Sequence, residues 1–364
     1  MHKKLFIPGP VEVREDILKA MSTLMIGHRT QEFKDLMGSL RKPLQKLMYT
    51  KNDVLISTSS GSGFMEGAIR NCVSKKVLNC VNGAFSKKWA DIAAGCGKQN
   101  EVVKVDFGKA IKPGMIDEKL SSGEFDAVCV THNETSTGVM NNLEELSEVI
   151  KKYPDVIFMV DCVSSLAGVK IEVDKLGVDV CLASSQKALA LPPGLAVASI
   201  SEKAYKKAEG VKGRGYYFDF LELKKSYDKD QTPYTPSISH MYALKLQMES
   251  IMKEGLDNRF ERHKKMAEFV RNWAKEKGFE MFSEQGYESN TVSCITDTKG
   301  MDLKKLKAEM GSKGYSIDTG YRKLNEKLAE AGKPLTFRIA HMGDATLEDV
   351  KKLLDGFNEF IGGI

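Results

Sequence analysis

The sequence predicts an α/β fold, with a large domain on a mostly parallel, doubly wound sheet and a smaller α+β C-terminal domain. Three observations carry that expectation. Strand-like apolar runs alternate with helix-like stretches from residue 53 to about residue 200, the order that a parallel sheet with helical crossovers produces. Two of the runs, Val156–Val160 and Val178–Ala183, are too short for helices and rich in branched residues, as strands buried on both faces are. After Ser199 the alternation stops and the chain changes character.

Taken in order, the chain opens with Pro8-Gly9-Pro10, which cannot continue a helix or pair in a central strand, so residues 1–13 form an extended arm. A helix is expected from about Glu15, then Gly27-His28-Arg29-Thr30, then a second helix through Leu47. Asp53–Thr58 reads as a strand, Ser59–Gly63 as a small-residue turn, and Met65 onward as a helix. Val77–Val81, Val102–Val105 and Ala127–Thr131 read as further strands, with helices after Asn82-Gly83 and over Ile111–Leu120. Asn142 and Glu145 give a start like a capping box to a helix over Leu143–Tyr153, whose Leu143, Leu146, Val149 and Ile150 share one face.

Residues 203–236 carry no clear period and are expected to be irregular. A long charged helix is expected from Ser239 to Lys277, then strands at Phe279–Phe282 and Thr291–Thr296 and a helix over 302–313. A strand at Thr336–Ala340 and a last helix from Thr346 follow, with Val350, Leu353, Leu354, Phe357 and Ile361 on the buried side. The domains are therefore an arm, 1–14, joining the small domain; a large domain, 15–240; and a small domain, 241–364.

A length of 364 residues suits about two domains of ~150 residues each. Charged residues are 28% and apolar ones 42%, the net charge is +5, and lysines are interspersed with glutamates. That pattern is a solvated surface and gives no support to nucleic-acid binding. Seven cysteines form no C-x-x-C pair and several lie inside apolar runs, the usage of a reduced, cytoplasmic protein. The N-terminus meets proline too early for a signal peptide, and no apolar run reaches the ~18 residues that span a bilayer, so no membrane partner is expected.

Two residues carry the chemistry. Asp161 ends the first of the two short strands, and Ser184-Ser185-Gln186-Lys187 with a Pro192-Pro193-Gly194 turn follows the second. Ligands of open α/β sheets sit beyond the carboxyl ends of the strands, so Asp161 and Lys187 are expected at one rim. A lysine in a partly dry pocket loses its proton easily and can form a Schiff base with an aldehyde. An acid beside it can keep a pyridine nitrogen protonated, which makes the ring an electron sink. Taken alone, an acid after one strand and a lysine after another are better explained by an ordinary surface lysine. The glycine-serine turn at 59–63 opens a helix and suits a phosphate. Gly61 and Gly63 fit G-x-G-x-x-G, but Glu66 stands at the third glycine position, which favours a single phosphate over a dinucleotide. Phe85 near the same rim is either a core ring or one that stacks on a flat ligand. Arg338, inside the apolar FRIAHMGD stretch, needs an anion, either a structural carboxylate or that of a substrate.

Together these segments resemble the class V (fold-type I) PLP-dependent aminotransferases, most closely the alanine–glyoxylate/serine–pyruvate group. The resemblance rests, in order, on PGPVEV at 8–13, GHR at 27–29, SSGSGFMEGAIRN at 59–71, NGAF at 82–85 and HNETSTGV at 132–139. It continues with VDCVSSLAG at 160–168, SSQKALALPPGL at 184–195, TP at 235–236 and FRIAHMG at 337–343. It implies pyridoxal 5'-phosphate as cofactor, Lys187 as its Schiff-base lysine and Asp161 as partner of the pyridine nitrogen. Ser62, Gly63 and Phe64 would offer N–H groups to the phosphate, with Gln186 adding a side-chain contact. Phe85 would stack on the ring, Val163 would pack on its other face, and Ser136 would contact it through its hydroxyl. Thr235 would reach the phosphate of a neighbouring subunit, which implies a homodimer with shared sites; Thr232 stands where relatives often have tyrosine. Arg338 would clamp the substrate carboxylate, with Gly9 and His28 beside it.

The implied activity is a ping-pong transfer of an amino group from alanine or serine to glyoxylate or pyruvate. Near relatives are expected to have a shorter loop where this chain carries YRKLNEKLAEAGKPLT, residues 321–336. Arg322 and Lys323 there, with His28 and Arg29, would meet a second anion, which keeps phosphoserine or aspartate as an alternative donor. A lyase such as a cysteine desulfurase fits less well, because Gln186 replaces the histidine before the lysine and 314–345 has no cysteine. A non-catalytic binding protein on this fold would have to lack Lys187 or Asp161, and both are present. A nucleotide-binding α/β protein is the last alternative.

Overall fold

The computed structural model describes residues 2–363. Seven strands form the central sheet, in spatial order Asp53–Ser57, Ala196–Ile200, Val180–Ser184, Ile157–Asp161, Ala127–Thr131, Lys76–Val81 and Gln99–Lys104. The pairings are parallel, apart from those of Ala196–Ile200, which runs antiparallel to both neighbours. The inner strands are buried along their whole length, which is why they read as unbroken apolar runs rather than as alternation. The expected doubly wound, mostly parallel sheet is therefore present.

The small domain is a three-stranded antiparallel sheet, Glu280–Met281, Val292–Thr296 and Thr336–Ala340. Its core is an aromatic cluster in which Phe337 stands 5.5 Å from Phe279 and 5.8 Å from Phe357, and Trp273 lies 5.7 Å from Phe357. The last helix, Leu347–Gly362, opens on a capping box from Thr346 and Asp349 and buries Val350, Leu353, Leu354 and Phe357; Ile361, expected with them, is only half-buried. Lys4–Phe6 pairs with Tyr315–Ile317, and Lys4 Nζ reaches Asp349 at 2.6 Å.

Three expectations change. The stretch expected to be irregular holds two helices, Glu202–Gly210 and Phe220–Tyr227, started by the side chains of Ser201 and Asp219. The long helix is two, Ile238–Glu254 and Leu256–Glu276, broken at Gly255 with φ +86°, a conformation open to glycine. The first of these buries Met241, Leu244, Met248 and Ile251 in the core of the large domain, whereas Met266, Val270 and Trp273 of the second belong to the small one. The chain thus passes from one apolar cluster to the other near Gly255. Finally, residues 321–336 contain a helix, Arg322–Glu330. No helix among the described residues is long and apolar enough to cross a membrane.

Candidate active site

The registers Val160↔Cys181 and Asp161↔Leu182 bring the carboxyl ends of two neighbouring strands to one rim. Asp161 sits on one of them, and the turn that follows the other carries Lys187. That turn is locked: Ala190 N–H donates to the Lys187 carbonyl at 2.8 Å and Ser185 N–H to that of Leu195 at 2.9 Å, while Ser185 Oγ donates to the Pro192 carbonyl at 2.7 Å. Asp161 and Lys187 both line a cavity of about 230 Å³. Ser62, Phe85, Val163 and Gln186 line it too, so six of the residues expected at the cofactor meet there.

Burial sets the electrostatics. It pushes the Asp161 carboxyl up to about 6, against the pull of the Val163 N–H that it accepts at 2.8 Å. It likewise brings the Lys187 ammonium down to about 8, helped by the Arg338 guanidinium and opposed by Asp161. Lys187 Nζ donates to the Pro8 carbonyl of the arm. Gly9 follows in the left-handed region at φ +110°, where a Cβ would lie 2.6 Å from that nitrogen.

Arg338 is buried and already paired. Its Nε and Nη2 donate to the two oxygens of Asp318 at 2.8 and 3.0 Å, and Nη1 donates to the Thr135 carbonyl at 2.8 Å. A guanidinium has five N–H donors, so one remains on each terminal nitrogen, enough for one further carboxylate.

Other expected residues are placed differently. Ser136 does not line the cavity: its hydroxyl donates to Glu134 at 2.6 Å and accepts from Ala84 N–H at 3.1 Å, and the neighbouring Thr135 faces the cavity instead. At the glycine-serine turn the lining residues are Ser60, Gly61 and Ser62. The Gly63 N–H is taken by the Ser60 carbonyl at 3.0 Å, and Phe64 is fully buried against Phe218. Thr235 is exposed, away from this cavity. His28 also lies outside it, while Arg29 beside it donates to the carbonyls of Thr232 and Pro233. Arg322, expected to meet an anion, has an 82% exposed side chain turned to Glu326.

Sequence reasoning missed Asn133, Glu134, Lys88, Asp318 and Tyr321. Glu134 is fully buried and accepts from Phe85 N–H at 3.0 Å, Ser86 N–H at 2.7 Å and the hydroxyls of Ser86 and Ser136. It thereby fixes the turn that presents Phe85, and Gly83 is needed there because a Cβ would come within 2.3 Å of Glu134. The signal was available, since a glutamate inside an otherwise small and neutral HNETSTG segment needs donors around it.

Residues 15–353 match the family Aminotransferase class-V. The chain belongs to that family. An aminotransferase of Methanocaldococcus jannaschii is 38% identical over 94% of this chain and 88% of its own length. The serine–glyoxylate aminotransferase of Methylorubrum extorquens is 33% identical over 93% and 86%. Among solved structures, an alanine–glyoxylate aminotransferase from Nostoc superposes with a TM-score of 0.91 at 25% identity, covering 99% of this chain and 96% of that one.

Class V aminotransferases depend on pyridoxal phosphate, and the cavity fits that group. Buried polar atoms there lack partners among the described residues, namely Ser184 Oγ and both amide atoms of Asn133, and such atoms are costly to leave unpaired. Asp161 Oδ2 accepts no side-chain or backbone hydrogen bond among the described residues, as a partner for a ring N–H requires. Gly61 leaves room that a Cβ would take from Val163, at 2.6 Å.

Proposed function

We propose that this class V aminotransferase moves the amino group of alanine or serine to glyoxylate or pyruvate, in two half-reactions that use one site in turn. The observation that carries the reading is the meeting of Lys187 and Asp161 in one small cavity, with Arg338 behind its wall, donating to the carbonyl of the lining Thr135. The serine–glyoxylate and alanine–glyoxylate activities of the Methylorubrum and Nostoc proteins support the substrate class.

Bound pyridoxal phosphate would supply an aldehyde that takes the amino group and a ring that withdraws electrons from the substrate's Cα. Lys187 would hold it covalently, the Ser60–Ser62 turn and Gln186 would hold its phosphate, and Phe85 and Val163 would flank its ring. Asp161 would hold a proton at the ring nitrogen. Lys187 Nζ, its ammonium brought down to about 8, would take the proton from the substrate's Cα and act as the acid that gives one back. Arg338 holds the substrate carboxylate with its two remaining N–H groups, and the arm at Pro8-Gly9 closes the lysine side of the site against water.

Phosphoserine is less well supported, because the cations offered for a second anion, Arg322 and Lys323, are exposed. We also read the chain as a homodimer. Leu24 and Met25 are 87% and 67% exposed, Tyr216 is 80% exposed, and Thr235 and His28 need a second subunit to reach a cofactor. Thiols that are nearly all buried and free fit the cytoplasm.

A half-reaction panel tests the substrate class. Alanine, serine, aspartate, glutamate and phosphoserine are each mixed with the loaded protein while the visible absorbance of the cofactor is followed. Alanine or serine should bleach it fastest; a faster response to phosphoserine overturns the reading.

A further inference from the structure

Between Ile317 and Thr336 the chain leaves the small domain and returns. Gly320 turns it at φ +92°, where a Cβ would lie 2.2 Å from the Thr336 carbonyl oxygen. Tyr321 follows, then the helix Arg322–Glu330. That helix is polar and buries one side chain, Leu324, so hydrophobic packing alone would hold it weakly. Asn325 fixes it instead. Its Nδ2 donates to the carbonyls of Thr319 and Thr336 at 3.0 and 2.8 Å, and its Oδ1 accepts from Thr336 N–H and Oγ1 at 2.9 and 2.8 Å. At the far end of the helix Lys327 Nζ lies 5.1 Å from the Phe107 ring of the large domain.

The pinned segment puts the Tyr321 ring in a specific place. Its centroid is 6.2 Å from that of Phe85, tilted by 52°, and 5.9 Å from the Arg338 guanidinium carbon. Phe85 lines the cofactor cavity, and Arg338 lies close enough to Lys187 to bias its proton. Tyr321 therefore lies beside both Phe85 of the cavity wall and the guanidinium that would hold a substrate carboxylate.

We propose that Tyr321 is the wall that limits the size of the substrate side chain, admitting a methyl or hydroxymethyl group and excluding longer chains. The inference deepens the proposed function and rests on Arg338 as the carboxylate holder. It also gives the 321–330 helix a purpose that its exposed charges do not supply.

The test uses binding without turnover. Pyridoxal-loaded protein has no amino group to give a 2-oxo acid, so calorimetry can compare glyoxylate, pyruvate, 2-oxobutyrate and 2-oxovalerate. Wild type should lose about tenfold or more in affinity from pyruvate to 2-oxovalerate, and Tyr321→Ala should lose under about threefold. Tyr321→Phe keeps the ring and should keep the wild-type profile, which guards against a folding defect. Parallel length profiles in wild type and Tyr321→Ala overturn the proposal, as does a flat profile in Tyr321→Phe. Failure of the substrate reading shows separately, as a wild-type cofactor band that neither alanine nor serine alters.

Discussion

Gly9 of the arm leaves no room for a side chain beside Lys187: a Cβ built on it would stand 2.6 Å from Nζ and 2.7 Å from Cδ. The arm therefore closes the site as bare backbone, in a left-handed conformation that costs any other residue strain. Gly9→Ala should load pyridoxal phosphate at least about tenfold more slowly than wild type, from a strain on the order of 1–3 kcal/mol, with unchanged circular dichroism. Stopped-flow absorbance during loading reads this directly.

The buried pair sets opposite dependences on pH in the cofactor-free protein. Asp161, raised from 3.8 to about 6, binds more proton folded than unfolded, so stability falls as pH rises through about 4 to 6. Lys187, lowered from 10.5 to about 8, binds less, so its share of stability is recovered as pH rises from about 8 to 10.5. Asp161→Asn removes a buried charge whose cost is about 3 kcal/mol. It should raise the melting temperature of the cofactor-free protein at pH 7.5 by several degrees. The same substitution should weaken cofactor binding by about 30-fold, through loss of a charge-assisted hydrogen bond worth roughly 2 kcal/mol. Calorimetric melting and equilibrium dialysis give the two numbers, and opposite signs are the expected outcome.

Glu134 is a structural acid. Glu134→Gln turns one acceptor oxygen into a donor that faces other donors, and should destabilise the fold by about 2–4 kcal/mol. Urea unfolding checks the size of the loss. A change in turnover at unchanged stability would argue for a direct part in the chemistry.

Asp318 positions Arg338 by two parallel hydrogen bonds. Asp318→Asn should raise the KM for alanine by about tenfold with a smaller change in kcat, from loss of roughly 1.5 kcal/mol of orientation. It should also lower the pH at which the lysine titrates in cofactor-free protein, because less negative charge offsets the guanidinium. Steady-state kinetics and the pH dependence of cofactor loading separate these effects.

The sheet and the Asp161–Lys187 rim were legible because parallel strands buried on both faces leave unbroken apolar runs, and ligand chemistry gathers at their carboxyl ends. Asn142 was legible as a cap, and its side chain does accept from Glu145 N–H at 3.2 Å. The break at Gly255 was not, since one glycine in a charged helical run reads as a tolerated residue until tertiary packing splits the helix between two cores. The choice between Thr135 and Ser136 was not legible either. The two are adjacent and chemically alike, and only the fold decides which hydroxyl faces the cavity. Tyr321 escaped because its place depends on Asn325 and Gly320, a backbone-pinning device with no periodic signature.

The most direct test of the central claim is borohydride reduction of the pyridoxal phosphate-loaded protein, followed by peptide mass analysis. A pyridoxyl group fixed on Lys187, and absent from Lys187→Ala, is the predicted result. A label on another lysine, or none at all on protein that retains the cofactor, would contradict the account.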